Sequence, residues 1–153
     1  MYVALVIVHS WLRWLVLLAA VNAVARAIGG ATGRRPWAPA DDAAGRWLII
    51  LFDVQFLIGL ILYIGLSPLT QMAFNDFGAA MRQPDLRFWA VEHIAGMLVA
   101  SALLHIGRAR ARKGGEAKRH RITLIFFGLA LLIVLLSIPW PGMPAGRPLF
   151  RGF

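Results

Sequence analysis

Three histidines, an arginine and two acidic residues lie where ionisable side chains are least expected, inside long apolar stretches. His9 and Arg13 interrupt a hydrophobic N-terminal run, Asp53 and Gln55 fall within a second, and Glu92, His93 and His105 belong to a third. Imidazoles on two helices can supply both axial ligands of one haem iron, with the porphyrin wedged between the helices. The chain has no cysteine, which removes disulfides, thiolate metal sites, iron–sulfur clusters, covalent haem attachment and cysteine nucleophiles. Redox chemistry would therefore depend on a bound cofactor. There is no glycine-rich phosphate loop, no His-Glu-x-x-His and no triad of nucleophile, base and orienting acid, so hydrolase and nucleotide-binding readings have no residues to rest on.

The elements that must carry these side chains follow from composition. Of 153 residues, 59% are hydrophobic and 15% charged, with a mean hydropathy of +0.69; a soluble domain carries about 25% charged residues. Such a chain would expose too much apolar surface in water, whereas a bilayer accepts it. At about 20 residues per crossing there is room for four helices, and we expect a single all-α, four-helix transmembrane bundle over residues 1–153. The expected spans are about 2–28, 47–66, 87–107 and 122–138. The first ends at Gly29-Gly30, the second before Ser67-Pro68, the third begins after Pro84-Asp85, and the fourth is closed by Pro139-Trp140-Pro141. The first is read as a retained span: it has no basic leader, is too long for a signal core, and carries His9 and Arg13. Between Pro68 and Arg87, Met72, Phe74, Phe77 and Met81 among polar residues suit a short helix on the bilayer surface.

The net charge of +9 is explained by topology. Eleven of the Lys and Arg residues, including Arg26, Arg34, Arg35, Arg46 and the run from Arg108 to Arg121, fall around the first and third connections. Only Arg82, Arg87, Arg147 and Arg151 fall on the other side. The positive-inside rule then places the first and third connections in the cytoplasm and both termini on the outer, periplasmic side. The basic loops meet anionic lipid, and nucleic acid is not an expected partner. The tryptophans lie mostly near span ends, where indoles anchor at the interface.

Depth arithmetic pairs two histidines. His9 is roughly 10 Å along the first span from its outer end and His93 roughly 9 Å along the third, so the two lie at one level. From His9 a stripe through Arg13, Val16, Ala20, Ala23 and Ala27 becomes small inward, which suits a face turned into the bundle. Gly96 and Ala100 follow His93 on about the same face and leave a gap suited to a flat ring or to plain helix packing. His105, roughly 18 Å deeper than His93, has no histidine partner in another span; snorkelling or interfacial hydrogen bonding is expected of it. His120 falls in the basic loop.

Arg13 cannot lose its proton, so something must meet its charge. Glu92, Asp53, a haem propionate and a quinone-like carbonyl are the candidates, with an Arg13–Glu92 pair as the plain structural reading. Asp53 can meet Gln55 or a backbone group, or exist protonated. Arg87 and Arg82 can hold outward-pointing propionates or lipid headgroups.

Several fragments carry a resemblance. They are His9-Ser10-Trp11-Leu12-Arg13-Trp14, Gln55 with Leu57-Ile58-Gly59-Leu60, and Arg87-Phe88-Trp89-Ala90-Val91-Glu92-His93. Ile106-Gly107-Arg108-Ala109-Arg110, His120-Arg121-Ile122 and Ile138-Pro139-Trp140-Pro141 continue it. In this order the chain resembles small four-span bacterial membrane proteins labelled cytochrome B. The resemblance implies a bacterial inner-membrane protein with non-covalent haem b, His9 and His93 as metal ligands, and Arg13, Arg87 and Gly96 around the cofactor. The better-known two-haem membrane cytochromes carry two histidine pairs; here one pair is found, so electron transfer through two stacked haems lacks ligands. A single haem near the outer face would exchange electrons with a quinone, a redox-protein partner or a larger respiratory complex. Two further expectations compete: a haem-free structural or assembly subunit of a larger membrane complex, and a proton or small-molecule transporter using Asp53, Glu92 and His105.

Overall fold

A computed structural model describes residues 1–33, 35–150 and 152; Arg34 and Arg151, counted in the charge asymmetry, lie outside the described residues. The fold is all-α, with no strand among the described residues. Helices α1 (Tyr2–Ala31), α2 (Pro39–Ile61), α6 (His93–Lys113) and α7 (Glu116–Leu136) form a bundle. Three short helices, α3 (Pro68–Asn75), α4 (Phe77–Ala80) and α5 (Pro84–Arg87), connect α2 to α6. With their π-helical extensions, four helices are long and apolar enough to cross a bilayer, and the protein is a multi-pass membrane protein. Four crossings bring both termini to one side.

The helices run further than the apolar stretches suggested, for local reasons. Gly29-Gly30 does not end α1: a Cβ at Gly30 would fall on the ring of His120, so the glycine serves a close helix contact. Proline at the first position starts α2 at Pro39, and the Asp41 carboxylate accepts the Ala38 N–H at 2.9 Å, satisfying a donor that a helix start leaves open. His120 lies in α7 rather than in a loop, and is buried beneath Trp37 with ring centres 4.8 Å apart.

Inside the bundle, Val16, Ala20, Ala23, Leu48, Phe52, Ala100, Leu104, Phe127 and Ala130 make the core. The small stripe on α1 is buried as expected, while Leu15 and Leu18 face outward. Packing is uneven. α6 lies along α7 and α1 lies along both α2 and α7, but α2 meets α6 sparsely, and the diagonal pairs α1–α6 and α2–α7 scarcely touch. On the connection, Met72, Phe74 and Phe77 are exposed on short helices at the end of the bundle that carries both termini.

Candidate functional site

Two π-helical turns flank the half of the bundle nearer the two termini. Leu62–Leu66 extends α2, and Phe88–Glu92 leads into α6. In each, an amide reaches back five residues, Ser67 N–H to Leu62 O and His93 N–H to Phe88 O. Such turns re-aim side chains and are frequent at functional sites. They also disturb the regular backbone ladder, and side chains repair it. The Tyr63 hydroxyl donates to Ala90 O at 2.6 Å, and the Thr70 hydroxyl donates to Tyr63 O at 2.8 Å. The C-terminal end of α2 and the N-terminal end of α6 are thereby tied together beside His93.

His9 and His93 meet across the bundle. Their ring centres are 6.5 Å apart and their planes inclined at 72°. His93 donates from Nδ1 to the carbonyl of Ser137 at 2.7 Å. A carbonyl only accepts, so the proton is on Nδ1, and the Nε2 lone pair of a neutral ring is left for another partner. Ser137 caps the C-terminal end of α7. The ring packs against Phe88 and Trp89, with centres 5.8 and 5.7 Å away. His9 is held otherwise. Gln55 donates to the His9 backbone carbonyl at 2.9 Å, while its ring nitrogen Nδ1 is buried with no hydrogen-bond partner. Gly59 makes room for the ring: a Cβ there would stand 3.1 Å from His9 Cε1.

Both rings line a cavity of ≈ 160 Å³ between the helices. Phe52, Phe56, Met97, Val134 and Ile138 form its apolar walls, and Ser10, Gln55, Tyr63 and Thr70 add polar atoms. Arg13 and Arg147 place two guanidinium groups on its wall, and no carboxylate is among the lining residues. The site is therefore positively biased. Arg147 lies over the Trp89 ring at 5.4 Å.

The structure does not pair Arg13 with Glu92. The C-terminal tail folds back, turning at Trp140–Met143, where Gly142 takes φ +91° that favours glycine. It brings Leu149 O to Arg13 at 2.7 Å and to the Trp14 indole N–H at 3.2 Å, with Phe150 stacked on Trp14 at 5.3 Å. Arg13 Nε stays buried without a partner. Glu92 pairs instead with Arg87 at 2.6 Å on the exposed surface, because the π turn between them brings residues five apart onto one face. Arg87 thus stands away from the cavity lining, and Arg147 occupies the place expected for it. Gly96 is not in the lining either: the gap it leaves is filled by Ser137 of the neighbouring helix end, whose side chain a Cβ would overlap.

Asp53 meets neither Gln55 nor a backbone group; it pairs with His105 at 3.0 Å. At the end of the bundle opposite the termini Asp41 accepts from Arg26 at 2.8 Å and Arg35 at 2.7 Å. Sequence reasoning missed Tyr63, Thr70, Arg147 and the Ser137 carbonyl. Only Pro139, which ends the helix and frees nearby carbonyls, signalled the last of these. Among the described residues no three His, Asp or Glu side chains converge on one point. Compared with protein-family models, curated proteins and solved structures, the chain matches none, so its function has to be argued from this geometry.

Proposed function

We propose that this membrane protein binds one haem b between His9 and His93 and acts as a b-type, cytochrome-like electron carrier. The spacing of the two rings carries the reading. Their centres are 6.5 Å apart, on two helices that scarcely touch, and both rings line one cavity. Two imidazoles so placed make a poor cage for a bare ion, but they would hold the iron of a haem between them. The Nδ1–H bond from His93 to a backbone carbonyl is the outer contact a metal-bound histidine characteristically makes, and it fixes the ring's orientation. Haem would supply one-electron transfer; the chain would set access and charge. Arg13 and Arg147, with no carboxylate beside them on the wall, suit the carboxylates of such a cofactor.

The cavity is close in volume to an engineered apolar site that takes up benzene, roughly 150 Å³, and a porphyrin is larger. Loading it requires side chains to give way on the α2–α6 side, where the helices meet least. By the charge asymmetry, the site belongs to the outer leaflet of a bacterial inner membrane, with a quinone or a periplasmic redox protein as electron partner.

The cavity's size favours a second reading, a haem-free subunit of a larger membrane complex in which the buried polar residues lock helices together. An absorption spectrum of detergent-purified protein separates the two. The haem reading expects a red protein with the reduced-minus-oxidised bands of low-spin bis-histidine haem, lost in His93→Ala and His9→Ala. A stable, folded, colourless preparation that takes up no haem would end it.

A further inference from the structure

Arg13 brings to the cavity wall a charge it cannot lose, and the chain meets that charge only in part. Its Nη2 donates to Leu149 O at 2.7 Å and more loosely to the Ser10 hydroxyl at 3.5 Å, while Nε is buried with no partner. Nε and Nη2 share one edge of the guanidinium, an edge that can grip both oxygens of a carboxylate through two parallel N–H bonds. In Arg13 this fork is half used, because a single carbonyl oxygen occupies Nη2 and nothing occupies Nε. Elsewhere in the chain the same nitrogen has its acid: Arg26 Nε donates to Asp41 at 2.8 Å and Arg87 Nε to Glu92 at 2.6 Å. Among the described residues no ion pair includes Arg13, and no Asp or Glu lines the cavity.

We propose that the Arg13 end of the cavity is a binding site for an amphipathic carboxylate. Its two oxygens accept from Nε–H and Nη2–H together, and its apolar body lies against Phe52, Phe56 and Met97. Leu149 O gives up Nη2 and keeps the Trp14 N–H, which it accepts at 3.2 Å. Charge selects this ligand. A carbonyl offers Arg13 one neutral acceptor, whereas a carboxylate offers two charged ones, and hydrogen bonds between ionised partners are roughly twice as strong. Arg147 adds a second positive charge on the same wall. Two further buried atoms on that wall also lack partners, His9 Nδ1 and Oε1 of Gln55, a residue only 9% exposed, so the chain leaves polar groups of the cavity to whatever enters it. Two molecules of a membrane carry this chemistry, a haem through its propionates and a free fatty acid. The first source rests on the haem reading; the site itself does not.

Acids compared with their own esters test this in the detergent-purified protein: hemin against its dimethyl ester, followed by absorbance, and carboxyl-labelled dodecanoate against methyl dodecanoate, followed by the carboxyl NMR signal. At least one acid should bind roughly tenfold or more tighter than its ester. Arg13→Gln removes the fork and should erase that preference, while Arg13→Lys keeps the charge without the fork and should recover only part of it. Arg147→Gln, on the tail and outside the helix core, should lower the preference severalfold, and it carries the test if Arg13→Gln does not fold. A preference for hemin assigns the site to a haem propionate. A preference for dodecanoate with no uptake of hemin upholds the site, assigns it to a fatty acid and ends the haem reading. Hemin bound no better than its ester, with dodecanoate unbound, overturns this proposal and leaves the haem reading standing; so does a preference that neither arginine variant changes. A folded protein that takes up none of these probes overturns both.

Discussion

The Tyr63 hydroxyl donates to the Ala90 carbonyl at 2.6 Å, joining two π-helical turns that lie on different helices. α2 and α6 otherwise meet sparsely, so this bond, with the Thr70 donation to Tyr63 O behind it, fixes how far apart these two helix ends stand. Tyr63→Phe keeps the ring and its edge contact with Phe74 but leaves the Ala90 carbonyl without that donor. The expected cost is about 1 kcal/mol, seen as a lower thermal midpoint by circular dichroism in detergent. If the midpoint does not move, another donor has replaced the hydroxyl and the π turns are not held in this way.

Gly59 decides how closely α2 approaches His9. A Cβ there would stand 3.1 Å from the ring, so Gly59→Ala moves the imidazole by a few tenths of an ångström and Gly59→Leu fills the cavity beside it. Under the haem reading, Gly59→Ala weakens haem uptake modestly and Gly59→Leu by roughly tenfold or more, since about 1.4 kcal/mol of strain at one ligand is enough for that. Titration of the purified variants with hemin, followed by absorbance, measures it. Equal uptake by all three proteins would remove His9 from the ligand set.

Asp41 gathers the end of the bundle opposite the two termini. Its side chain is 3% exposed and accepts from Arg26, Arg35 and the Ala38 amide, so it joins α1, the first connection and the start of α2. Asp41→Asn leaves two guanidinium groups facing a neutral amide. Breaking a buried pair from one side costs about 3–5 kcal/mol; because both arginines remain about a third exposed and water screens them, about 2 kcal/mol is expected. Thermal unfolding in detergent checks the figure, and Asp41→Glu should recover part of it.

What was legible in the residues was span number, the inward face of α1 and depth: the first follows from apolar run length, the second from the stripe of small residues, and the shared level of His9 and His93 from counting rises of about 1.5 Å. What was not legible depends on rotation and crossing. Asp53 and His105 meet because of how α2 leans across α6, which no residue count contains. Arg87 turns to Glu92 because of a π turn that leaves no mark in composition. Arg13 finds Leu149 because the tail reverses after Trp140-Pro141-Gly142; the prolines signalled the end of the helix, but not the turn or its destination. Helix ends were misjudged where a residue that usually breaks a helix served packing instead, and Gly30 is the clearest case.

Gly30 and His120 should therefore behave as a unit. The ring is buried, both its nitrogens lack hydrogen-bond partners, and it occupies the space where a Gly30 side chain would begin. Gly30→Ala alone must push the ring away or part α1 from α7, an overpacking cost of about 1–3 kcal/mol. His120→Ala alone opens a cavity but also removes two unsatisfied polar atoms, which offsets part of the usual loss for a buried ring. In the double variant Gly30→Ala/His120→Ala the added methyl enters the space the ring vacated. Its loss of stability should then be smaller than the sum of the two single losses by about 1 kcal/mol or more. Thermal midpoints of the four proteins give the coupling, and strict additivity would show that the two residues do not share that space.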